Sequence, residues 1–364
     1  MPLRQALAEL LADSSADPIA CLVSDAVWLF TTEVCKSLKI PRIVLRTGGA
    51  RAFQAFAAFP FLLEKGHLPV QDDRLEDPVV ELHPLRVKDL PVMATSSQME
   101  KLYELVQGMV KETKASSGLI FNSFQELEEL ALTQLHQDFG IPMFPIGPFH
   151  KLFPATSSSL LVEDHTSISW LNKQAPNSVI YVSFGSIAVI QEKDFLEVAL
   201  GLSSSKHPFL WVVRPGLIHG ADWLEPLPEN YLEMLNGRGH IVKWAPQSEV
   251  LSHPSVGAFW THCGWNSTLE SICEGVPMIC SPCFTDQLVN ARYVSHVWRI
   301  GLSLEGGFSR ENIEMAIKTI LVEKEGGEIK KRALHLEEKA NLCLKPGGSS
   351  YESLQILVKY MSVF

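Results

Sequence analysis

The chain lacks the features that mark several large classes of protein. It has no uncharged apolar run of the ~18 to 20 residues that a membrane helix needs, since its most apolar stretch, 53–63, is short and contains Gln54 and Pro60. Lys and Arg total 31 against 41 Asp and Glu, and the net charge of −10 disfavours a nucleic-acid-binding surface. Glu9 and Asp13 interrupt the opening, so no signal peptide is predicted. We expect a soluble cytoplasmic protein.

Cysteine is scarce and scattered. The seven cysteines lie in apolar surroundings, and an odd number cannot all pair. Cys280 and Cys283 have a CxxC spacing, but a zinc site would need two more ligands nearby and a redox motif would need a helix directly afterwards. Core or site-lining thiols are therefore favoured over a metal or redox centre.

What remains is an ordinary globular composition, with 46% hydrophobic and 20% charged residues. The 364 residues suffice for roughly two domains of about 150 residues each. Short apolar strands alternate with helical stretches, which is typical of an α/β protein. A segment rich in Pro and Ser predicts a linker at 150–168, between a first domain at 1–149 and a second at 169–345. We expect the last helix, within 346–364, to pack back on the first domain.

A stretch in the second domain predicts a ligand site. Residues 256–261 form an apolar run typical of a buried parallel strand, which ends at His262. Gly264 permits a tight turn, and Ser267 with Glu270 three residues later matches a capping box, so a helix should begin there. Such a turn attracts phosphate, because the first turn of a helix presents backbone N–H groups and a positive dipole end.

Polar residues follow two further predicted strands. Asp286 and Gln287 come just beyond the strand predicted at 276–280. Open α/β sheets bind ligands outside the carboxyl ends of their strands, so these residues should face the same crevice as the phosphate turn. Ser186 follows a strand at 179–184, where it either presents its hydroxyl and N–H to a diphosphate or only caps the next helix.

The residue types suit the parts of a nucleotide sugar. Trp244 offers a flat indole face to a base, and Glu270 is placed to accept hydrogen bonds from a ribose diol. His262, Asn266 and Ser267 carry donors for phosphate oxygens. The carboxylate and amide beyond the 276–280 strand are suited to the hydroxyls of a hexose.

Residues 244–287 resemble the signature box of plant family 1 UDP-glycosyltransferases, from the opening WAPQ through HCGWNSTLES to the closing DQ. More loosely, LVSD ending at Asp25, TKASSGLIFNSFQELE and KPGGSSYESL are similar to the subgroup that contains cytokinin and steviol-glycoside glucosyltransferases. The resemblance implies an α/β protein of GT-B type, in which two Rossmann-like domains face a cleft. The acceptor is then bound mainly by the first domain and the nucleotide by the second.

The resemblance also assigns roles by position. Trp244 would stack on uracil with the Ala245 backbone and Gln247 nearby, and Glu270 would bind the ribose. The remaining donor-binding residues are Ser186, His262, Gly264, Trp265, Asn266 and Ser267 for the diphosphate, and Asp286 and Gln287 for the sugar hydroxyls. A Gln at the end of the box goes with UDP-glucose more often than with UDP-galactose.

The implied reaction is inverting transfer of glucose from UDP-glucose to a small lipophilic acceptor, which gives a β-glucoside. The acceptor group is a hydroxyl, or less often a carboxyl or nitrogen. UDP-glucose is a co-substrate, and neither a cofactor nor a metal is expected. The predicted protein is a monomer without nucleic-acid partners or a membrane span.

The family's general base is a His in a loop after its first strand, oriented by an Asp that Asp25 matches. No counterpart of that loop is recognised, so about the first hundred residues of a full-length relative are expected to be absent. The loop residues His83, His150, His207 and His253 are predicted surface residues rather than replacements. The alternative function is therefore a catalytically impaired UDP-sugar-binding fragment. An NAD-type dehydrogenase is disfavoured, because no G-x-G-x-x-G follows a strand.

Overall fold

The computed structural model of the chain describes residues 2–13, 17–93, 96–152, 161–304 and 306–364. Two compact units are present: one comprises Met1–Leu82, Arg86–Phe153 and Ala340–Phe364, and the other comprises His83–Leu85 and Pro154–Lys339. The linker predicted at 150–168 lies partly outside the described residues. Within the described ranges, no helix combines the length and apolarity needed to cross a membrane.

The first unit contains a parallel sheet of four strands in the order β1-β2-β3-β4. Its elements are α1 (Pro2–Ala12), β1 (Leu22–Asp25), α2 (Thr31–Leu38), β2 (Arg42–Arg46), α3 (Ala50–Ala57), α4 (Phe59–Glu64), α5 (Ser96–Lys114), β3 (Gly118–Phe121), α6 (Gln125–Phe139), β4 (Met143–Pro145) and α7 (Phe149–Leu152). Between α4 and α5 lie the short 3₁₀ turns Asp72–Arg74, Val80–Leu82 and Val87–Asp89.

The second unit contains a parallel sheet of six strands in the order β10-β9-β8-β5-β6-β7. Its elements are α8 (Thr166–Leu171), β5 (Val179–Ser183), α9 (Glu192–Ser204), β6 (Phe209–Val212), α10 (Tyr231–Met234), β7 (Gly239–Val242), α11 (Gln247–Leu251), β8 (Val256–Thr261), α12 (Trp265–Cys273), β9 (Met278–Cys280), α13 (Asp286–Arg292), β10 (Gly301–Ser303) and α14 (Arg310–Leu321). A π-helical turn, Tyr293–Val297, extends α13. Helix α15 (Lys324–Cys343) begins in this unit and ends in the first, to which α16 (Ser349–Met361) belongs.

The strand order of the second unit fixes where a ligand can bind. With β5 taken as the first strand, its order is 3-2-1-4-5-6, that of a dinucleotide-binding fold. The order reverses between β5 and β8, which pair directly, with Ser183 opposite Thr261. All six residues of β8 are buried, as an uncharged central parallel strand requires. The crevice of this fold therefore opens at the carboxyl ends of β5 and β8.

In the first unit, a buried carboxylate caps a helix that is distant in sequence. Helix α3 follows Gly49, which has no side chain to cap it. Glu128 accepts hydrogen bonds from the backbone N–H of Ala50 (2.8 Å) and of Arg51 (2.8 Å), and from the Ser123 hydroxyl (2.7 Å). Burial raises the pKa of the Glu128 carboxyl, and these donors oppose that shift. Glu128 itself leaves helical geometry within α6, with φ −129° and ψ 31°.

We predict that Glu128→Ala lowers the free energy of unfolding by about 3 kcal/mol, because two helix N–H groups and a hydroxyl lose a buried acceptor. Urea unfolding followed by circular dichroism measures the change. Glu129→Ala is the matched control, since Glu129 lies on the same helix with an exposed side chain. The control should stay within about 0.5 kcal/mol of the parent protein. Equal effects of the two substitutions would contradict the capping role.

Candidate functional site

The imidazole of His262 lies between two glycines at the carboxyl ends of β5 and β8. A Cβ atom on Gly185 would come within 2.6 Å of the ring Cε1 and Nε2, and one on Gly264 within 2.5 Å of Nε2. A side chain at either position would displace the ring. Gly185 also has φ +71°, a conformation that favours glycine. The turns after the two strands thus meet at this imidazole.

The His262 ring is neutral at pH 7. Burial lowers the pKa of His262 to about 4, the charge of Arg214 acts in the same direction, and the backbone of Ser183 opposes them. The buried Nδ1 has no hydrogen-bond partner among the described residues. Leaving a buried polar atom unpaired costs about 1 to 3 kcal/mol, so the enclosure of this ring is maintained by the packing around it.

The helix after this turn starts earlier than predicted, and the predicted capping box is wrong. Helix α12 begins at Trp265 with Gly264 as its N-cap residue. The Ser267 hydroxyl, predicted to cap the helix, instead accepts a hydrogen bond from Gln247 Nε2 at 3.0 Å. Glycine takes the cap position because the His262 ring leaves no room for a side chain there. A glycine cap offers no side-chain acceptor to the first turn, which keeps that turn suited to an anion.

The segment after β7 presents an aromatic face. Trp244 is partly exposed, and its backbone carbonyl accepts a hydrogen bond from the N–H of Asp164 at 3.0 Å. Ala245 is buried, and Pro246 is the N-cap residue of α11. The backbone is therefore held in place while the indole keeps accessible surface for a planar group.

Gln247, the first residue of α11, is committed to contacts within the protein. Its Nε2 donates to Ser267 Oγ (3.0 Å) and to Glu270 Oε2 (2.5 Å), and its Oε1 accepts from the hydroxyl of Tyr181 (3.1 Å). Burial raises the pKa of the Glu270 carboxyl, and the bond from Gln247 opposes the shift. Gln247 thus orients Glu270, whose second carboxylate oxygen remains for a diol.

The carboxylate of Asp286 is held by its neighbours in α13. The Thr285 hydroxyl donates to Oδ1 (3.1 Å) and Asn290 Nδ2 donates to Oδ2 (3.2 Å). The same Nδ2 of the buried Asn290 donates to the backbone carbonyl of Cys263 at 3.0 Å. Asn290 therefore ties the carboxylate to the turn after β8. Thr285 has φ 51° and ψ −130°, a strained backbone for a β-branched residue.

Gln287 has a mixed role. Its side-chain Oε1 accepts hydrogen bonds from the backbone N–H of Cys283 (2.9 Å) and of Phe284 (3.2 Å), which shapes the loop before α13. None of the hydrogen bonds found among the described residues uses its amide N–H₂ group. The buried side chain of Gln287 therefore supports the loop with its oxygen and keeps its donors for another group.

Three other residues predicted to bind the diphosphate differ in the solvent exposure of their side chains. Ser186 is exposed in the turn after β5, and the N-cap residue of α9 is Gln191, so the alternative that Ser186 caps this helix is wrong. Asn266 is also exposed. The Trp265 side chain is buried, with its ring 6.4 Å from that of Trp298, so only its backbone can serve a ligand.

Asp25 belongs to the first unit, at the carboxyl end of β1. It is half-buried, and its Oδ1 accepts a hydrogen bond from the backbone N–H of Val27 at 2.9 Å. The prediction of four surface histidines is correct only for His83. His150 lies in α7 with Nε2 shielded from water, and burial lowers its pKa to about 4.

His207 and His253 are the other two histidines for which the surface prediction fails, since both are half-buried. The ring of His253 is within hydrogen-bond distance of Ser255 Oγ (2.8 Å) and Asn172 Oδ1 (3.1 Å). Tertiary contacts of this kind leave no trace in local composition, which explains the error.

The seven cysteines are free thiols, and Cys263, Cys280 and Cys273 are among the buried ones. Cys283, the second residue of the CxxC pair, is exposed. Over the part of the chain that the structure describes, no group of three or more His, Cys, Asp or Glu side chains is arranged to hold a metal ion.

Sequence reasoning missed three residues that organise the site: Tyr181, Arg214 and Asn290. Tyr181 lies within the uncharged strand β5, and this sequence context predicts a core residue rather than a site residue. Arg214 carried a usable signal, because it is a lone cation just after the apolar β6. Asn290 also carried one, since it lies four residues after Asp286 and one helical turn places their side chains on the same face.

Comparison with known proteins identifies the family. A family model described as UDP-glucoronosyl and UDP-glucosyl transferase matches residues 4–337. UDP-glycosyltransferase 76B1 of Arabidopsis thaliana is 52% identical over 345 residues, which cover 95% of this chain and 77% of that protein. The match thus extends over almost the whole of this chain and through both units.

Two solved structures support the same assignment. UDP-glucose: anthocyanidin 3-O-glucosyltransferase in complex with UDP has a TM-score of 0.87 and 26% identity, covering 100% of this chain and 79% of that one. Phytolacca americana UGT2, complexed with UDP-2fluoro-glucose and pterostilbene, has a TM-score of 0.82 and 28% identity, covering 99% and 80%. These similarities confirm the predicted α/β fold of GT-B type. Together, the family model, the relative and the two structures show that this chain belongs to the UDP-glucoronosyl and UDP-glucosyl transferase family of enzymes.

Proposed function

We propose that this chain transfers glucose from UDP-glucose to a small lipophilic acceptor, with inversion at the anomeric carbon, giving a β-glucoside. The observation that carries the proposal is the meeting of the turns after β5 and β8 at the His262 ring, where the strand order reverses and α12 begins without a side-chain cap. A diphosphate in this crevice would meet a ring nitrogen, helix N–H groups and the exposed Ser186.

The other proposed contacts to UDP-glucose follow if its diphosphate lies at the turns after β5 and β8. The partly exposed indole of Trp244 stacks on uracil, next to the backbone of Ala245. Glu270, held by Gln247, accepts from the ribose hydroxyls. On the far side of the diphosphate, Asp286 accepts from sugar hydroxyls and the amide N–H₂ of Gln287 donates to them. Each proposed contact uses a charge or a hydrogen-bonding group that the side chain does not fully use within the protein.

Acceptor chemistry belongs to the first unit. In the proposed reaction a hydroxyl, carboxyl or nitrogen of the acceptor gives its proton to a general base and bonds to the anomeric carbon in line, as the bond from that carbon to the diphosphate oxygen breaks; UDP leaves and the β-anomer results. Asp25 is the candidate to orient the imidazole of a general base, because its Oδ1 is satisfied by a backbone N–H and Oδ2 remains for a ring N–H. The UGT2 structure, which holds UDP-2fluoro-glucose and pterostilbene, supports a lipophilic acceptor class.

The experiment that tests the proposal combines binding and turnover. UDP and UDP-glucose are titrated into the chain by calorimetry, and UDP-glucose is incubated with a panel of phenolic, terpenoid and purine acceptors. The expected result is UDP binding and β-glucosides, whose anomeric configuration is read by NMR. UDP binding without any product would favour the alternative of an impaired UDP-sugar-binding chain. An α-linked product, or no affinity for UDP, would contradict the proposal.

Removal of the Glu270 carboxylate should weaken donor binding specifically at the ribose. Glu270→Ala is expected to raise the KM for UDP-glucose by about 10- to 100-fold, because hydrogen bonds to a charged group contribute about 1.5 to 3 kcal/mol. With a 2′-deoxyribose donor the penalty should shrink. Glu249→Ala, which removes an exposed carboxylate on the neighbouring helix α11, is the control and should leave KM unchanged. An equal penalty with both donors would refute the ribose assignment.

The buried neutral His262 predicts a pH dependence of stability. Its folded pKa of about 4 lies below the ordinary value of 6.5, so the unfolded state takes up a proton first as the pH falls. His262 therefore costs no stability above pH ~6.5, and the cost grows as pH falls towards ~4, reaching on the order of 2 kcal/mol with allowance for partial exposure. Chemical unfolding of the parent protein and of His262→Asn from pH 7 to pH 4 measures this difference.

In that comparison His150 serves as an internal control. Its pKa is also lowered to about 4, but it contributes equally to both proteins and cancels in the difference. The parent protein should lose more stability on acidification than His262→Asn. Parallel curves would show that the His262 ring is accessible to protons in the folded state.

A further inference from the structure

Arg214 occupies a buried position below the turn that carries Ser186. It comes two residues after β6, and only 8% of its surface is exposed. Its Nε donates to the backbone carbonyl of Gly185 (3.1 Å), one NH₂ group donates to the carbonyl of Ala188, and the other donates to the carbonyl of Pro215 (3.1 Å). The guanidinium thus binds both ends of the 185–188 turn.

The charge of Arg214 is not neutralised within the described protein. None of the ion pairs between described residues includes it, and all of its hydrogen bonds go to neutral carbonyls. Burial lowers the pKa of the guanidinium, and no carboxylate opposes that shift. Burying an ion without a counter-charge costs several kcal/mol, so a polar neutral residue would hold the same carbonyls at lower cost. The retained charge points to an anion at this place.

The position of the Arg214 guanidinium in the site indicates which anion it faces. Arg214 acts electrostatically on His262, whose ring lies against Gly185 in the same turn that Arg214 binds. Its field therefore reaches the space between the turns after β5 and β8. In the proposed function that space holds the diphosphate, the only part of a UDP-sugar with formal charge.

We infer that Arg214 is a positioning residue for the diphosphate: it fixes the 185–188 turn that presents Ser186 and supplies an uncompensated positive charge behind it. This inference rests on the proposed function. Arg214 is assigned no direct contact with the ligand, because three of its five N–H donors bind the Gly185, Ala188 and Pro215 carbonyls and only 8% of its surface is exposed. It acts through the turn and through its field, which is strong in a water-poor interior.

The charge and the shape of the guanidinium can be tested separately. Arg214→Lys keeps the charge but cannot donate to three carbonyls in the same fork geometry, and Arg214→Met removes both. Arg238→Met is the matched control, since Arg238 also donates to a backbone carbonyl, that of Ser203 (3.4 Å), in the same unit. Thermal unfolding of each full-length variant checks that it is folded.

The decisive measurement compares the affinity of each variant for UDP and for uridine, which shares the base and ribose but has no phosphate. We expect Arg214→Met to weaken UDP binding at least ten-fold and uridine binding less than two-fold. Arg214→Lys should lower the UDP-to-uridine affinity ratio about three-fold, and Arg238→Met should leave it unchanged. Equal weakening of both ligands, or an unchanged ratio in Arg214→Lys, would overturn the inference. If the parent protein binds UDP no better than uridine, the proposed function itself fails.

The imidazole of His262 provides an independent readout by NMR. Loss of the guanidinium charge should raise the pKa of His262 in Arg214→Met, whereas Arg214→Lys should keep it close to the parent value. If Arg214→Met does not fold, the ratio and the His262 titration of Arg214→Lys decide the matter. A His262 pKa that does not change in Arg214→Met, or that rises equally in both variants, would show that the charge of Arg214 does not reach the site.

Discussion

The close approach of the His262 ring to Gly185 and Gly264 is the constraint on which the site depends. Two adjacent parallel strands end here, their chains turn in opposite directions, and the imidazole fills the gap between them. Because both neighbours must lack a side chain, helix α12 begins without a side-chain cap. Because the ring is enclosed, it is neutral and its Nδ1 is unpaired. Cap, charge state and unsatisfied nitrogen are consequences of one packing arrangement, and the uncapped start of α12 favours an anion.

Local charge, rather than net charge, explains how an acidic protein can favour a diphosphate. The chain carries a net charge of −10. Near the turns after β5 and β8, however, lie the buried cation Arg214, the N-terminus of α12 and the neutral ring of His262. The Glu270 carboxylate lies elsewhere, tied to Gln247. The electric field inside a cleft is set mainly by the nearest charges. The low dielectric of the cleft screens these charges weakly, whereas water screens the more distant charges on the protein surface. The proposed diphosphate and ribose contacts thus involve separate groups of residues in the second unit.

Much of the fold could be predicted from sequence, because buried parallel strands such as β8 appear as uncharged apolar runs. The polar residues that follow these runs indicate the carboxyl edge of the sheet, where ligands bind in this type of fold. The predicted strand 256–261 agrees with β8, and Ser186, His262 and Asp286 follow β5, β8 and β9, while their binding roles stay predictions. Contacts between distant segments could not be predicted. Glu128 reaches α3 over 78 residues, and the Ser267–Glu270 capping box fails because His262 excludes a side chain at the true cap. Local patterns report propensity, whereas these contacts depend on which segments meet in the fold.

Asn290 links the turn proposed to bind phosphate to the carboxylate proposed to bind sugar. One buried amide nitrogen donates to the Cys263 carbonyl in the turn after β8 and to the Asp286 carboxylate. The distance between the turn after β8 and the Asp286 carboxylate is therefore fixed by a single buried side chain. Thr285, which comes before Asp286, has a φ of 51° that costs about 1 to 3 kcal/mol at a β-branched residue, and its hydroxyl donates to the same carboxylate. In the proposed function, the hydroxyls of a hexose reach Asp286 while the diphosphate occupies the turn after β8, so Asn290 fixes the spacing that the sugar must match.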